Sequence, residues 1–345
     1  MNSDKILFLA DFQADFGVEM LWDGLCRLIG SENVVTYPYI KHYYGKVDDD
    51  YILDNGQKGW TAPGDYMPLR EELPWSREQI LDRIKEFKLA VLTSPRTYAI
   101  EALVDLKDSL TKRHIPLAFT DFEDSTTIRQ DIIDFFNPRY VFKRELLNHI
   151  PNTKIVPLPF SSFLYSDQYP DKKEKDIDVF FMCGNTWPLR LEIRDMLVGL
   201  NDERIIAGCD DKETKLSYRE YIDAMSRAKI NIVARGHGID TVRRWEAPSF
   251  SGVVLSDRLP LVTPFPFMDK LNIVYYDSVT HLKELIKQLL ADKLALKQIG
   301  EMGQYHLHRW HTTKERARYF LRECQWEEEI GDNNLVEEIL ANAND

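Results

Sequence analysis

Residues 230–257 read INIVARGHGIDTVRRWEAPSFSGVVLSD. INIVAR (230–235) and VVLSD (253–257) are short apolar runs, the mark of strands buried on both faces of a parallel sheet. Between them Gly236 and Gly238 bracket His237, Arg243 and Arg244 stand side by side, and Glu246 precedes a run of small residues. Positions 241–251 read as a helix. Strand, helix, strand in this order is a βαβ unit, and repetition of that unit decides the fold class.

The rhythm continues on both sides. Downstream, NIVYYD (272–277) is a strand, 279–291 an amphipathic helix, and the chain reads as helical from 293 to about 330. Upstream, DVFFMC (178–183) and RIIAGC (204–209) are strands around a helix at 188–200. Ser217 with Glu220 forms a capping-box pattern opening a helix to about 229. The segment from 159 to 176, PFSSFLYSDQYPDKKEKD, reads as a linker. Before it the pattern appears once more. KILFLAD (5–11), LAVLTS (89–94), PLAFTD (116–121), YVFK (140–143) and KIVPLP (154–159) read as strands. Helices are expected at 16–29, from Ser76 (with Gln79) to about 87, at 98–113 and at 126–136. Residues 36–74 read as a long irregular insertion, a candidate substrate-facing segment.

The expectation is an α/β protein of two doubly wound, Rossmann-like domains, 1–160 and 177–320, with a linker at 161–176 and a helical tail at 321–345. A chain of 345 residues also exceeds what one core usually reaches, about 250–300 residues. Ligands of such sheets sit beyond the carboxyl ends of the strands.

Composition narrows the function classes. A formal net charge of −12 disfavours a nucleic-acid backbone or an anionic membrane as the main partner. It leaves room for a local basic pocket. The four cysteines (Cys26, Cys183, Cys209, Cys324) lack metal-ligand spacing and suit buried thiols in a reducing compartment. The start MNSDKILFLADF lacks the basic opening of a signal peptide, and no apolar run approaches a membrane span. A cytoplasmic location is expected, with peripheral membrane association left open.

The strand ends nominate Asp11, Asp121, the turn Cys183–Thr186 and the segment after Arg235. Gly236 and Gly238 let backbone approach a ligand, and Thr241 is a candidate helix cap that would leave N–H groups facing an anion. Arg243 and Arg244 carry the fork that fits phosphate oxygens. Glu246 is placed to accept two ribose hydroxyls. The set reads as a nucleotide-diphosphate pocket. An exposed helix whose arginines pair with nearby acids fits the same letters.

Four motifs in order over 176–320 decide between them. They are FFMCGNTWPLR (180–190), YIDAMSRAKINI (221–232), RRWEAPSFSGVVLSD (243–257) and IVYYDSVTHLKELIKQLLADKLALKQIGEMGQYHLHRWHTTKERA (273–317). This half resembles the C-terminal half of GT-B glycosyltransferases, specifically the CgeB-like group. The resemblance implies a GT-B architecture with C-terminal helices crossing back, residues 1–160 on the acceptor side and 177–320 binding a nucleotide-sugar donor. It implies that Glu246 holds the donor ribose and that Arg243 and Arg244 lie near the diphosphate. Gly184, Asn185 and Arg190 would form the turn beneath the phosphates, and the stretch Arg235–Thr241 would face the sugar. Many retaining members carry E-x7-E; here Gly238 stands eight residues before Glu246, which leaves retention or inversion open.

The expected reaction is transfer of a sugar from a nucleoside-diphosphate sugar to a hydroxyl of a glycan or other acceptor. Fixed cations would neutralise the leaving diphosphate, with no metal ion or other cofactor required. An acceptor-side base is sought among Asp11 and Asp15 (ADFQADF) and Asp121 and Glu123 (FTDFED); a helix cap or turn acid is the plain alternative for each. His237 is a candidate donor contact. His306, His308 and His311 lack the partners of a zinc set, and His42 and His114 read as structural. Tyr37, Tyr39, Tyr43, Tyr44, Trp60, Tyr66 and Trp75 would serve either stacking on acceptor sugars or packing. Three other functions fit the same half-chain: a nucleotide-sugar epimerase, a non-catalytic nucleotide- or sugar-binding protein, and a glycosyltransferase acting on modified DNA.

Overall fold

The computed structural model describes residues 4–11, 15–44, 74–147, 154–164, 174–209 and 216–326. Two all-parallel sheets organise them. The first contains β1 (Lys5–Leu9), β2 (Val34–Tyr37), β3 (Phe87–Leu92), β4 (Leu117–Asp121), β5 (Tyr140–Lys143) and β6 (Ile155–Pro157), in the order β2-β1-β3-β4-β5-β6. The second contains β7 (Ile177–Cys183), β8 (Ile205–Cys209), β9 (Ala228–Val233), β10 (Val253–Asp257) and β11 (Val274–Tyr276), in the order β11-β10-β9-β7-β8. Every residue of β1, β7 and β10 is buried, which is why these strands are unbroken apolar runs rather than alternating ones.

Helices cover both faces. The first lobe has α1 (Phe16–Ile29), α2 (Arg77–Asp82), α3 (Thr97–Lys112) and α4 (Gln130–Phe136). The second has α5 (Pro188–Val198), α6 (Tyr218–Arg227), α7 (Arg243–Glu246), α8 (Val279–Ala291) and α9 (Lys293–Trp310), and α10 (Thr313–Glu323) ends the described chain. Both expected capping boxes form, Ser76 with Gln79 and Ser217 with Glu220.

Several boundaries differ from expectation. Val34–Tyr37 is a strand beside β1, at a place read as the start of an irregular insertion. Residues 45–73 of that insertion, with Trp60 and Tyr66, lie outside the described residues. The helix expected from 126 starts at Gln130. The long terminal helix is two helices, because Thr312 accepts the Glu315 N–H and restarts the chain as α10. Residues 161–164, inside the expected linker, are buried.

The lobes are joined closely. Ser162 N–H donates to His311 O (2.9 Å) and Thr313 N–H to Ser162 O (3.0 Å), so the crossing segment pairs with the junction of α9 and α10. α10 then packs on α1 of the first lobe. A β-carbon at Gly24 would lie 2.0 Å from Thr313 O, so only glycine permits this approach. The helix crosses back, and with it part of the segment assigned by sequence to the second domain. One apolar cluster runs from Ile6 and Phe8 through Phe160 and Phe163 to Trp245 and Phe320.

In each sheet the strand order reverses beside the first strand of the lobe, between β1 and β3 and between β7 and β9. Crevices open beyond the carboxyl ends at such points, and here the two face each other.

Candidate active site

The facing strand ends enclose a cleft of about 460 Å³. Asp15, Arg96, Glu123, Asp124 and Arg144 line it from the first lobe, and Thr186, Arg190, His237, Asp240 and Thr241 from the second.

On the second-lobe wall, Arg190 is a brace. Its Nε donates to Arg235 O (2.8 Å), Nη1 to Gly184 O (3.0 Å) and Thr186 Oγ1 (2.9 Å), and Nη2 to Ala234 O (3.0 Å). It thereby ties the turn after β7 to the end of β9. Gly236 must be small for this, since a β-carbon there would lie 2.9 Å from Arg190 Nη2. Burial, then the charge of Arg243, holds the Arg190 pKa below the usual arginine value. The guanidinium expected beneath the phosphates is thus largely spent on carbonyls. Gly184 and Asn185 form that turn without lining the cleft, and Gly236, His237 and Gly238 line it.

Arg235 follows β9 and stacks over Trp187, 4.1 Å from the ring centroid. Arg243 donates from Nε to Tyr221 Oη (3.0 Å) and faces Cys183 and Arg190 electrostatically. Among the described residues no carboxylate oxygen lies within 4.0 Å of the guanidinium nitrogens of Arg190, Arg235, Arg243 or Arg244. The alternative in which these arginines pair with surface acids is not what the structure shows.

Glu246 is buried, and its oxygens accept from Tyr218 Oη (3.0 Å) and Tyr221 Oη (3.2 Å). Like Arg235 and Arg243, it lies behind the residues that line the cleft. Burial raises its pKa, opposed by Arg243 and the two tyrosines. A carboxylate offers about four acceptor positions, so two remain.

Two expectations about this segment are corrected. Thr241 does not cap a helix: its Oγ1 is buried without a partner, and α7 is one turn long. The N–H groups of Arg244, Trp245 and Glu246 already bond to the carbonyls of Thr241 and Val242, so the wall offers side-chain cations instead of a helix mouth. Arg244 does not join Arg243. Consecutive helical residues diverge by about 100°, and Arg244 points the other way, with Nη2 donating to Tyr275 Oη (3.2 Å).

The first-lobe candidates separate as sharply. Asp121 is buried and paired with Lys143 (2.7 Å), and it accepts the Glu123 N–H (3.1 Å). Asp11 is buried at the end of β1 and accepts the Tyr98 N–H in the first turn of α3 (3.1 Å). Neither lines the cleft, so neither is in place to touch an acceptor. Asp15 lines it. Its Oδ1 caps α1 through the Gly17 and Val18 N–H groups (2.9 and 3.3 Å), and its Oδ2 meets Arg96 (3.2 Å). Burial raises the Asp15 pKa above the ordinary value, against the opposing pull of Arg96 and Arg144.

Sequence reasoning missed the joint between the lobes. Asp240 N–H donates to Glu145 Oε1 (3.1 Å), while its carboxylate accepts from Phe160 N–H (2.8 Å) and Trp245 Nε1 (2.9 Å). Arg144 pairs with Asp124 and with Glu145. Gly238 packs here, a β-carbon being 2.4 Å from Asp124 Oδ1. The letters KRELL (143–147) are the only local signal, and their partners lie far away in sequence.

His306 and His311 both meet Phe265 O (2.9 Å each), and burial lowers both pKa values. Tyr43 stacks on Trp22 at 4.7 Å within the core, and Trp75 packs on Phe87.

Comparison with known proteins agrees with this geometry. Residues 180–322 match the family model described as glycosyl transferase-like. A comparison with curated proteins yields no match. Among solved structures, a glycosyltransferase from Rickettsia africae ESF-5 superposes with a TM-score of 0.56 at 12% identity, over 93% of this chain and 98% of that one. Anabaena Alr3699/HepE, solved with UDP and glucose, superposes at 0.54 and 11% identity, over 93% of this chain and 99% of that one. The same protein with UDP-glucose gives 0.53, with the same identity and coverage. The fold is GT-B, and a glycosyltransferase domain occupies the second half. The protein is a glycosyltransferase. No helix among the described residues is long and apolar enough to cross a membrane.

Proposed function

We propose that the cleft transfers a sugar from a UDP-sugar to an acceptor hydroxyl, with Arg243 on the diphosphate, Glu246 on the ribose and Asp15 as the acceptor-side base. One observation carries this reading: guanidinium groups without carboxylate partners gather at the strand ends of the second lobe, opposite acids of the first. Glu246 acts on Arg243 only through space, so the guanidinium fork keeps donors for an anion, and a diphosphate is the anion that a nucleotide-sugar pocket supplies.

Departure of the diphosphate leaves an oxocarbenium-like sugar. Arg243 stabilises the charge that develops on the leaving oxygens. Arg190 acts through the chain: it fixes the turn Gly184–Thr186 and the end of β9 so that Arg235 and Arg243 are held in place. His237, exposed between two glycines in the cleft, contacts the sugar or its phosphate. Fixed cations do the work that a metal ion does in other transferases, so no metal is required. The bound UDP of the Anabaena relative supports the base assignment, and the four ordered motifs support a place in the CgeB-like group. The four cysteines are free and buried, which supports a reducing, cytoplasmic setting. A glycan fits the acceptor side, where acids and arginines alternate.

The ribose role of Glu246 is tested with UDP and 2′-deoxy-UDP by calorimetry. Wild type is expected to bind UDP about tenfold more tightly or better, as for a hydrogen bond to a charged acceptor. Glu246→Gln should lose most of that preference. Equal affinity of the wild-type protein for the two nucleotides would remove Glu246 from the ribose.

A further inference from the structure

Beyond Asp240 from the cleft lies a second cavity of about 230 Å³. Arg244, Trp245, Arg258, Phe267 and Tyr275 line it together with Asp240. Arg244 is only 8% exposed. Its Nη2 meets Tyr275 Oη (3.2 Å), and its Nη1 is enclosed without a hydrogen-bond partner. Arg258 stands on the exposed rim. The two guanidinium carbons lie 5.7 Å (Arg244) and 4.9 Å (Arg258) from the Tyr275 ring centroid, so both arginines converge on one tyrosine.

Among the described residues no carboxylate oxygen lies within 4.0 Å of the Arg244 nitrogens, and the charges of Asp240 and Asp257 act on it only through space. Asp240 accepts the Phe160 N–H on one oxygen and the Trp245 Nε1–H on the other, and neither oxygen bonds Arg244. Asp269 and Asp277 are engaged with Arg258, at 2.6 and 3.3 Å. Asp257 keeps one buried oxygen without a partner, but the other accepts the Arg235 N–H and the residue does not line the cavity. An enclosed guanidinium N–H without an acceptor is costly, and the side chain that carries it lines the cavity. Trp245, Phe267 and Tyr275 supply aromatic walls beside the fork of Arg244.

We infer that this cavity is a second binding site, taking a small ligand that carries an oxyanion, phosphate or carboxylate, held between Arg244 and Arg258 beside the Tyr275 hydroxyl. It is separate from the donor site, because Arg243 and Arg244 leave α7 in different directions and Asp240 with Trp245 forms the wall between. The oxyanion pairs with the Arg244 guanidinium, the tyrosine hydroxyl closes on a second oxygen, and the rest of the ligand extends past Arg258 to solvent.

The test is calorimetric titration of orthophosphate, and in a parallel arm acetate, into the full chain saturated with UDP. Saturable binding of either anion to the UDP-loaded protein is expected, the tighter of the two naming the chemistry. Arg244→Met should weaken it about tenfold or more. Arg258→Ala, a change at the exposed rim, should weaken it measurably and leave UDP affinity unchanged. Three results would overturn the inference: no saturable binding of either anion, binding that UDP abolishes, or binding that Arg258→Ala and Arg244→Met leave unaltered. UDP affinity is read in the same titrations, so failure of the donor-site reading is seen separately; orthophosphate is then titrated into the free protein.

Discussion

Replacing Asp15 by asparagine is expected to lower kcat by about 10²–10⁴-fold, the range supplied by a general base, while the fold and UDP affinity stay intact. The substitution isolates the proton. Asp15 caps α1 through its Oδ1, and asparagine caps a helix about as well as aspartate. What asparagine lacks is the ability to take the acceptor's proton. The pH profile gives a second readout. Burial raises the Asp15 carboxyl above its ordinary pKa, and a base works only when deprotonated. Wild-type kcat/KM therefore falls as pH drops through that raised value, above the usual aspartate range, and Asp15→Asn should lose this acid limb. Full activity in the variant would pass the role to Glu123 or Asp124, which share the cleft wall.

The second large effect is expected from Arg243→Ala. Loss of one preorganised contact to a developing negative charge costs about 2–4 kcal/mol in the barrier, or about 10²–10³ in kcat. Arg243→Lys should recover only part, since a point charge lacks the planar fork. Arg243 makes a better test than Arg190. The donors of Arg190 hold the carbonyls of Gly184, Ala234 and Arg235, so its loss would disturb the turn itself. Turnover of Arg243→Ala within about twofold of wild type, far below the effect expected for such a contact, would remove it from the diphosphate.

The two arginines also show where sequence reading stops. The RRWEA letters announce a cationic turn before a glutamate, and the buried runs at β7, β9 and β10 announce the sheet that carries it. Those features are local: an apolar run in a parallel strand reports its own burial. Which way each arginine points is not local. It depends on the phase of a single helical turn, and that phase sets Arg243 toward Tyr221 and Arg244 toward Tyr275. Asp121 illustrates the same limit. FTDFED puts three acids at a strand end, but only the pairing of β4 with β5 reveals that Lys143 neutralises the first of them. The break between α9 and α10 was missed, although its signal is local. Thr312 and Glu315 have the spacing of a capping box and lie inside what periodicity alone reads as one helix. Val34–Tyr37 is short and buried along most of its length, so it shows no alternation, and it runs straight into a tyrosine-rich stretch.

The most direct test of the account is a crystal structure of the protein with bound UDP. The account predicts the diphosphate in the interlobe cleft, with Arg243 guanidinium nitrogens about 2.7–3.1 Å from its oxygens, and the ribose hydroxyls on Glu246. UDP seated away from Arg243, or lodged against Arg244 in the second cavity, would contradict it.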